Sequence, residues 1–181
     1  DELTRYSAEI TVVTFSDRAV CAAGFDTADR LNPLRLEANG LTDMGGGLSL
    51  SLELLEKRKN QYKATGVEYY QPILAVMSDG APNGDKRVLD AAVQTIRELS
   101  AARRLTVIPV GIGGQADLDM LSRLTPGRPP FQMSGLRFRE FFAWLSQSVA
   151  EISASTPGGE PELNLDALQE LEAEPWPEDS L

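Results

Sequence analysis

The chain predicts an α/β fold: a mostly parallel central sheet covered by helices on both faces, with one antiparallel hairpin at its edge. Three features carry this expectation. Short β-branched apolar runs alternate with longer segments whose apolar residues recur at spacings of three and four. Several of the runs stop at Gly, Asp or Ser. The connections between them are rich in Gly, Pro, Asn and Asp.

The first run, AEITVVTFS over 8–16, and the second, AVCAAGF over 19–25, are separated only by the polar triplet Ser16-Asp17-Arg18, which reads as a hairpin. Residues 26–41 show no sustained period and read as a loop. From Asp43 the spacing of Leu48, Leu52, Leu55 and Tyr62 predicts an amphipathic helix that ends near Gly66. Residues 72–78 form a third strand. Val88, Ala92, Ile96 and Leu99 then fall on one helical face, with Arg103 and Arg104 expected in its last turn, where cations suit the helix dipole. The run LTVIPVGIG over 105–113 is a fourth strand, 117–124 a short helix, and 130–133 an edge strand. The span 136–152 is a final helix that offers Leu136, Phe141, Trp144, Leu145 and Val149 to the core. After 153–161, a linker by composition, residues 162–181 carry Leu165, Leu168 and Leu171 at intervals of three. They read as an amphipathic or disordered acidic tail.

Composition removes several chemistries. The chain has no histidine and one cysteine, so an internal disulfide, the common zinc sites and every His-dependent triad are excluded. Cys21 is expected in the core. The net charge of −10 is concentrated: residues 160–181 hold eight acids and no base, which leaves 17 bases against 19 acids in the rest. That nearly neutral body has no basic stripe interleaved with aromatics, so nucleic-acid binding is not expected. No apolar stretch reaches the roughly 18–20 residues of a membrane span, and the chain is expected to be soluble and cytoplasmic.

Two stretches point to a site. In ILAVMSDGAPNGD an apolar strand runs directly into Asp79, and a carboxylate at such an exit is costly to desolvate unless something pairs with it. In NGLTDMGGGLSLSLELL, Thr42 and Asp43 precede three glycines, Gly45 to Gly47, and then a helix; the glycines let the backbone pack closely against a neighbour. Ligands of open parallel sheets bind beyond the carboxyl ends of the strands. A hydroxyl and a carboxylate meeting there suit a hard cation that keeps open positions for water and a ligand. The glycines do not make a nucleotide loop, because no Gly-Lys-Ser/Thr follows and no GxGxxG is present.

The hairpin, the GLTDMGGGLSLSLELL loop, the ILAVMSDGAPNGD strand end and LTVIPVGIGGQADLDMLSRL, in that order, resemble a von Willebrand factor A domain, a Rossmann-like fold. The similarity spans residues 1–152 and is strongest to the bacterial TerY-like, or YegL-like, branch. It implies a metal-ion-dependent adhesion site in which Thr42 and Asp79 are ligands to Mg2+, and a partner protein that completes the coordination with an acidic side chain. It also implies a bacterial stress or tellurite-resistance setting, with a kinase or phosphatase as partner. The acidic tail 162–181 would be a second docking element. The Asp-x-Ser-x-Ser motif of the family is absent from this sequence, as are its first strand and most of its first helix. The expectation is that an upstream segment, or another chain, supplies them, and that Mg2+ binds weakly without them.

Two alternatives stand beside the interaction module. One is a Mg-dependent phosphoryl-transfer enzyme using Asp79 as acceptor, which lacks a recognisable set of further acids and a phosphate-binding lysine. The other is a structural subunit with a degenerate metal site.

Overall fold

The computed structural model describes residues 8–36, 40–133, 138–153 and Leu163. Nine elements follow in chain order: β1 (Glu9–Phe15), β2 (Ala19–Thr27), α1 (Met44–Thr65), β3 (Ile73–Ser78), α2 (Lys86–Ala101), β4 (Thr106–Ile112), α3 (Leu118–Ser122), β5 (Phe131–Met133) and α4 (Phe138–Ser153). Every element expected from the sequence is present within a few residues. Leu136 and the tail leucines at 165, 168 and 171 lie outside the described residues.

The strands form two sheets. β1 and β2 pair antiparallel, with register shifts near Ile10 and Val12, while β3, β4 and β5 make a parallel sheet in that order. The hairpin was expected at the edge of one sheet; it pairs instead only with itself among the described residues. Helix α1 links the two sheets, because Gly47 lies against the Phe15 ring of β1 while Met44 and Leu48 enter a core shared with Val76 of β3 and with α2.

The parallel ladder has a definite parity. Successive residues of a strand turn their N–H and C=O to opposite edges. Thr106 donates to the Pro72 carbonyl at 2.9 Å. Even-numbered residues of β3 therefore face β4, and Ile73, Ala75 and Met77 turn their backbone groups the other way. Gly113 donates to the Met133 carbonyl at 2.9 Å, so odd-numbered residues of β4 face β5. Pro109 is one of these, and it is tolerated because β5 begins opposite Val110, beyond the missing N–H.

The core lies on both faces of this sheet. One cluster joins Met44 and Leu48 of α1, Leu89, Val93 and Ile96 of α2, and Met120, Leu121 and Leu124 around α3. The other sets Ile108, Val110, Phe131 and Met133 against Phe141 of α4, with Leu163 packed at its margin. On α2 the buried face is Leu89, Ala92, Val93 and Ile96; Val88, expected inside, is exposed. Ala92 and Ile96 are buried and Leu99 packs against the cluster as expected, while Leu89, beside Gly45, takes the place expected for Val88. Arg103 and Arg104 lie beyond the helix end. Arg103 takes a left-handed φ of 54°, and Arg104 donates to the Leu99 carbonyl at 2.8 Å, closing the helix as a glycine usually does. Cys21 is exposed on the hairpin rather than in the core, because β2 has most of its first half exposed and no layer among the described residues covers that side.

Candidate functional site

Three loops meet at the carboxyl end of β3: the hairpin turn 16–18, residues 40–43 before α1, and residues 79–85 between β3 and α2. The chain folds this way for local reasons. Asp43 caps α1, its side chain accepting from Gly46 N at 3.0 Å, and Asp85 caps α2, accepting from Arg87 N at 2.8 Å. That backbone donor holds the exposed Asp85 carboxyl below its usual range. Both helices thus point their amino ends at the same place, where their dipoles favour negative charge.

The loops are tied by backbone groups. Asp43 donates to the Ser16 carbonyl at 2.8 Å, and the Asp17 carboxylate accepts from Leu41 N at 2.8 Å. Thr42 donates its N–H to Asn83 Oδ1 at 2.8 Å, while Asn83 returns its own N–H to the Thr42 carbonyl at 3.1 Å. The glycines allow this approach. A Cβ on Gly84 would stand 2.6 Å from Asp43 Oδ1, and one on Gly45 would stand 2.8 Å from the backbone nitrogen of Leu89. The triple glycine therefore serves close packing, as its sequence suggests, but its neighbours are the first turn of α2, the capping carboxylate of Asp43 and the ring of Phe15 rather than a loop.

Thr42 is half-buried, and its hydroxyl oxygen lies 3.9 Å from the position a Cβ on Gly80 would take. Asp79, the residue before Gly80, is exposed. Water therefore meets the desolvation cost expected for a carboxylate at a strand exit, and that cost does not require a partner. Ser78 is buried beneath it and donates its hydroxyl to the Gly80 carbonyl at 3.1 Å, which sets the turn. Sequence reasoning missed Asn83 and Asp17. The first was legible only as turn chemistry in Pro-Asn-Gly, and the second depends on a contact 24 residues away.

Magnesium takes six oxygens in near-octahedral geometry and usually keeps several waters. Among the described residues no group of three or more acidic or cysteine side chains could hold a metal. Asp43 and Asp17 are nearby but are engaged in holding backbone N–H groups. The described residues therefore do not form a protein cage for such an ion.

No protein-family model and no curated protein sequence matches the chain. Solved structures do. Proximal thread matrix protein 1 from the mussel byssus superposes with a TM-score of 0.55 at 21% identity, over 81% of this chain and 38% of that one. Its other crystal form gives 0.50 at 22% identity, over 80% and 34%. The ArnB paralog VWA2 from Sulfolobus acidocaldarius superposes with a TM-score of 0.46 at 14% identity, over 83% and 37%. The chain spans about a third of the length of the solved proteins it matches. The likeness to the byssus protein is one of α/β fold. No helix among the described residues is long and apolar enough to cross a membrane.

Proposed function

We propose that the chain is a non-enzymatic protein-interaction module of the von Willebrand factor A type, which binds its partner at the loop end formed by residues 40–43 and 79–84. The observation that carries this reading is the reciprocal bonding of Thr42 and Asn83, which holds the Thr42 loop against the loop that starts at Asp79. The α/β fold shared with a matrix protein of the mussel byssus favours a binding role over a catalytic one. Asp17, Asp43, Asp79 and Asp85 make this end rich in carboxylates, so an acidic side chain of a partner would need a cation between the two. Magnesium held by Thr42 and Asp79 is that cation in our reading. The metal, a kinase or phosphatase as partner, and a cytoplasmic bacterial stress or tellurite-resistance setting rest on the sequence resemblance alone. The acidic tail 162–181 is the second docking element.

Affinity capture with the wild-type chain and with the Thr42→Ala/Asp79→Ala double variant tests the proposal. A partner held by the first, lost from the second and released by a magnesium chelator is the expected result. Equal capture by both would refute a role for this end. Deleting residues 160–181 should weaken capture further, and unchanged capture would remove the tail from the account.

A further inference from the structure

We propose that the acidic segment after Leu163 docks on its own chain, in an arginine-lined groove between α2 and the turn that precedes β5. The groove has a volume of about 720 Å³ and is lined by Asp90, Val93 and Arg97 of α2 and by Arg123, Thr125 and Arg128. It runs along α2 from Asp90 onward and is separate from the loop end described above. Local structure sets the guanidiniums in place. Thr125-Pro126-Gly127-Arg128 is a tight turn, in which Arg128 N donates to the Thr125 carbonyl at 3.0 Å and Gly127 takes a φ of 87°, as the third residue of a type II turn requires. The buried Thr125 donates its hydroxyl to the Arg128 carbonyl at 3.2 Å and fixes the turn a second time. Arg123 is held by the Asp90 carboxylate and by Met120 Sδ at 3.4 Å. The charge of the groove is not balanced. Asp90 is engaged by Arg123, and Glu98, its other acid, accepts from the Gln94 amide at 2.9 Å. Arg97 and Arg128 are exposed, and no carboxylate among the described residues pairs with either.

Charge and connectivity name the occupant. Beyond Leu163 the sequence carries Asp166, Glu170, Glu172, Glu174, Glu178 and Asp179 and no base. Such carboxylates match the planar donor fork of a guanidinium. Leu163 packs against the cluster that contains Phe131 of β5, and Arg128 lies three residues before Phe131. The acidic run therefore starts beside the strand that the arginine turn leads into. At about 3.3–3.6 Å per residue, the eleven residues from Leu163 to Glu174 can span up to about 40 Å, more than the roughly 30 Å width of a small domain, so its acids can reach the groove. Exposed ion pairs are individually weak and are screened by salt. A tether raises the effective concentration to the millimolar range, so several such pairs suffice in cis where a free acidic peptide binds poorly.

Paramagnetic broadening of amide signals in the isotopically labelled full chain tests this. A nitroxide is attached through Ala173→Cys, in a Cys21→Ser background that leaves one site of attachment. At low salt it should broaden the amides of residues 94–101 and 123–128 and leave those of residues 40–43 and 79–84 sharp. Arg97→Glu with Arg128→Glu should abolish the effect, and so should Glu170→Gln, Glu172→Gln and Glu174→Gln together. Salt at about 1 M, where the Debye length is about 3 Å, should remove most of it. Broadening spread evenly over the body or centred on other residues would overturn the proposal, as would broadening that survives the substitutions. A mixture of nitroxide-bearing chain without isotope and isotope-labelled chain without nitroxide should show none. Broadening there would place the segment on a second copy and overturn docking in cis. Should the arginine variant fail to fold, the glutamine variant and the salt series decide the matter.

Discussion

Asn83 holds Thr42 by two hydrogen bonds, its side-chain oxygen accepting the Thr42 N–H at 2.8 Å and its own N–H returning to the Thr42 carbonyl at 3.1 Å. The side chain thereby stands in for a strand partner between two loops 41 residues apart. Asn83→Ala keeps the backbone bond and loses the other, so stability should fall by about 1 kcal/mol. Asn83→Asp keeps an acceptor and should lose less. Denaturant unfolding of the two variants measures the difference, and equal losses would show that the side chain does not join the loops.

Gly45 and Gly114 should respond differently to the same substitution. A Cβ at Gly45 meets the Leu89 backbone nitrogen at 2.8 Å, which cannot move without shifting α2, whereas nothing lies within 4 Å of a Cβ at Gly114. Gly45→Ala should cost about 1–3 kcal/mol by overpacking. Gly114→Ala should stay within about 0.5 kcal/mol of the parent. Thermal unfolding of both variants checks the contrast.

Glu9 ties the hairpin to α1 and should make stability acid-sensitive. Its carboxylate accepts from Arg58 Nε at 2.6 Å, from a second Arg58 nitrogen and from the Tyr62 hydroxyl, and Tyr69 stacks on Tyr62 with ring centroids 5.6 Å apart. The Arg58 hydrogen bonds hold the Glu9 carboxyl below its ordinary value of 4.5, against the opposing effect of burial. A lowered folded-state pKa gives stability that is fully present above the unfolded value and is lost as pH falls below it through the folded value. Glu9→Gln should destabilise the chain by about 1–2 kcal/mol near neutral pH, and the gap should narrow below about pH 4.5. Urea unfolding from pH 7 down to 3 measures it, and a gap independent of pH would contradict the assignment.

Cys21 should react with a thiol reagent in the native state. It is exposed on β2, with its sulfur 3.3 Å from the Ala23 carbonyl. The labelling rate under native conditions should be within about tenfold of that in denaturant, whereas a core thiol would be protected by the global unfolding free energy.

The order and type of the elements were legible because periodicity and punctuation agree along most of the chain. Asp43 and Gly66 bracket α1 as cap residues should: Asp43 accepts from Gly46, and Gly66 takes a left-handed φ of 69°. What escaped the sequence depends on neighbours distant along it. Cys21 lies in an apolar run, but burial needs a covering layer, and the described residues provide none on that side of the hairpin. On α2 only Val88 was misplaced, because Leu89 rather than Val88 lies against Gly45. Among the described residues the hairpin does not pair with the parallel sheet, and such pairing is something strand-forming residues alone do not encode. Thr42 and Asp79 were named from the resemblance; Asn83 and Asp17, which arrange the loops, act through contacts that no local pattern announces.

The most direct test of the loop end is a magnesium titration of the isotopically labelled chain, followed by amide chemical shifts in the wild type and in Asp79→Asn. The acidic tail will take up magnesium diffusely in both proteins, so the comparison isolates the site. The account predicts saturable shifts at residues 40–43 and 79–84 in the wild type that disappear in Asp79→Asn. Shifts confined to the tail, or identical in the two proteins, would contradict it.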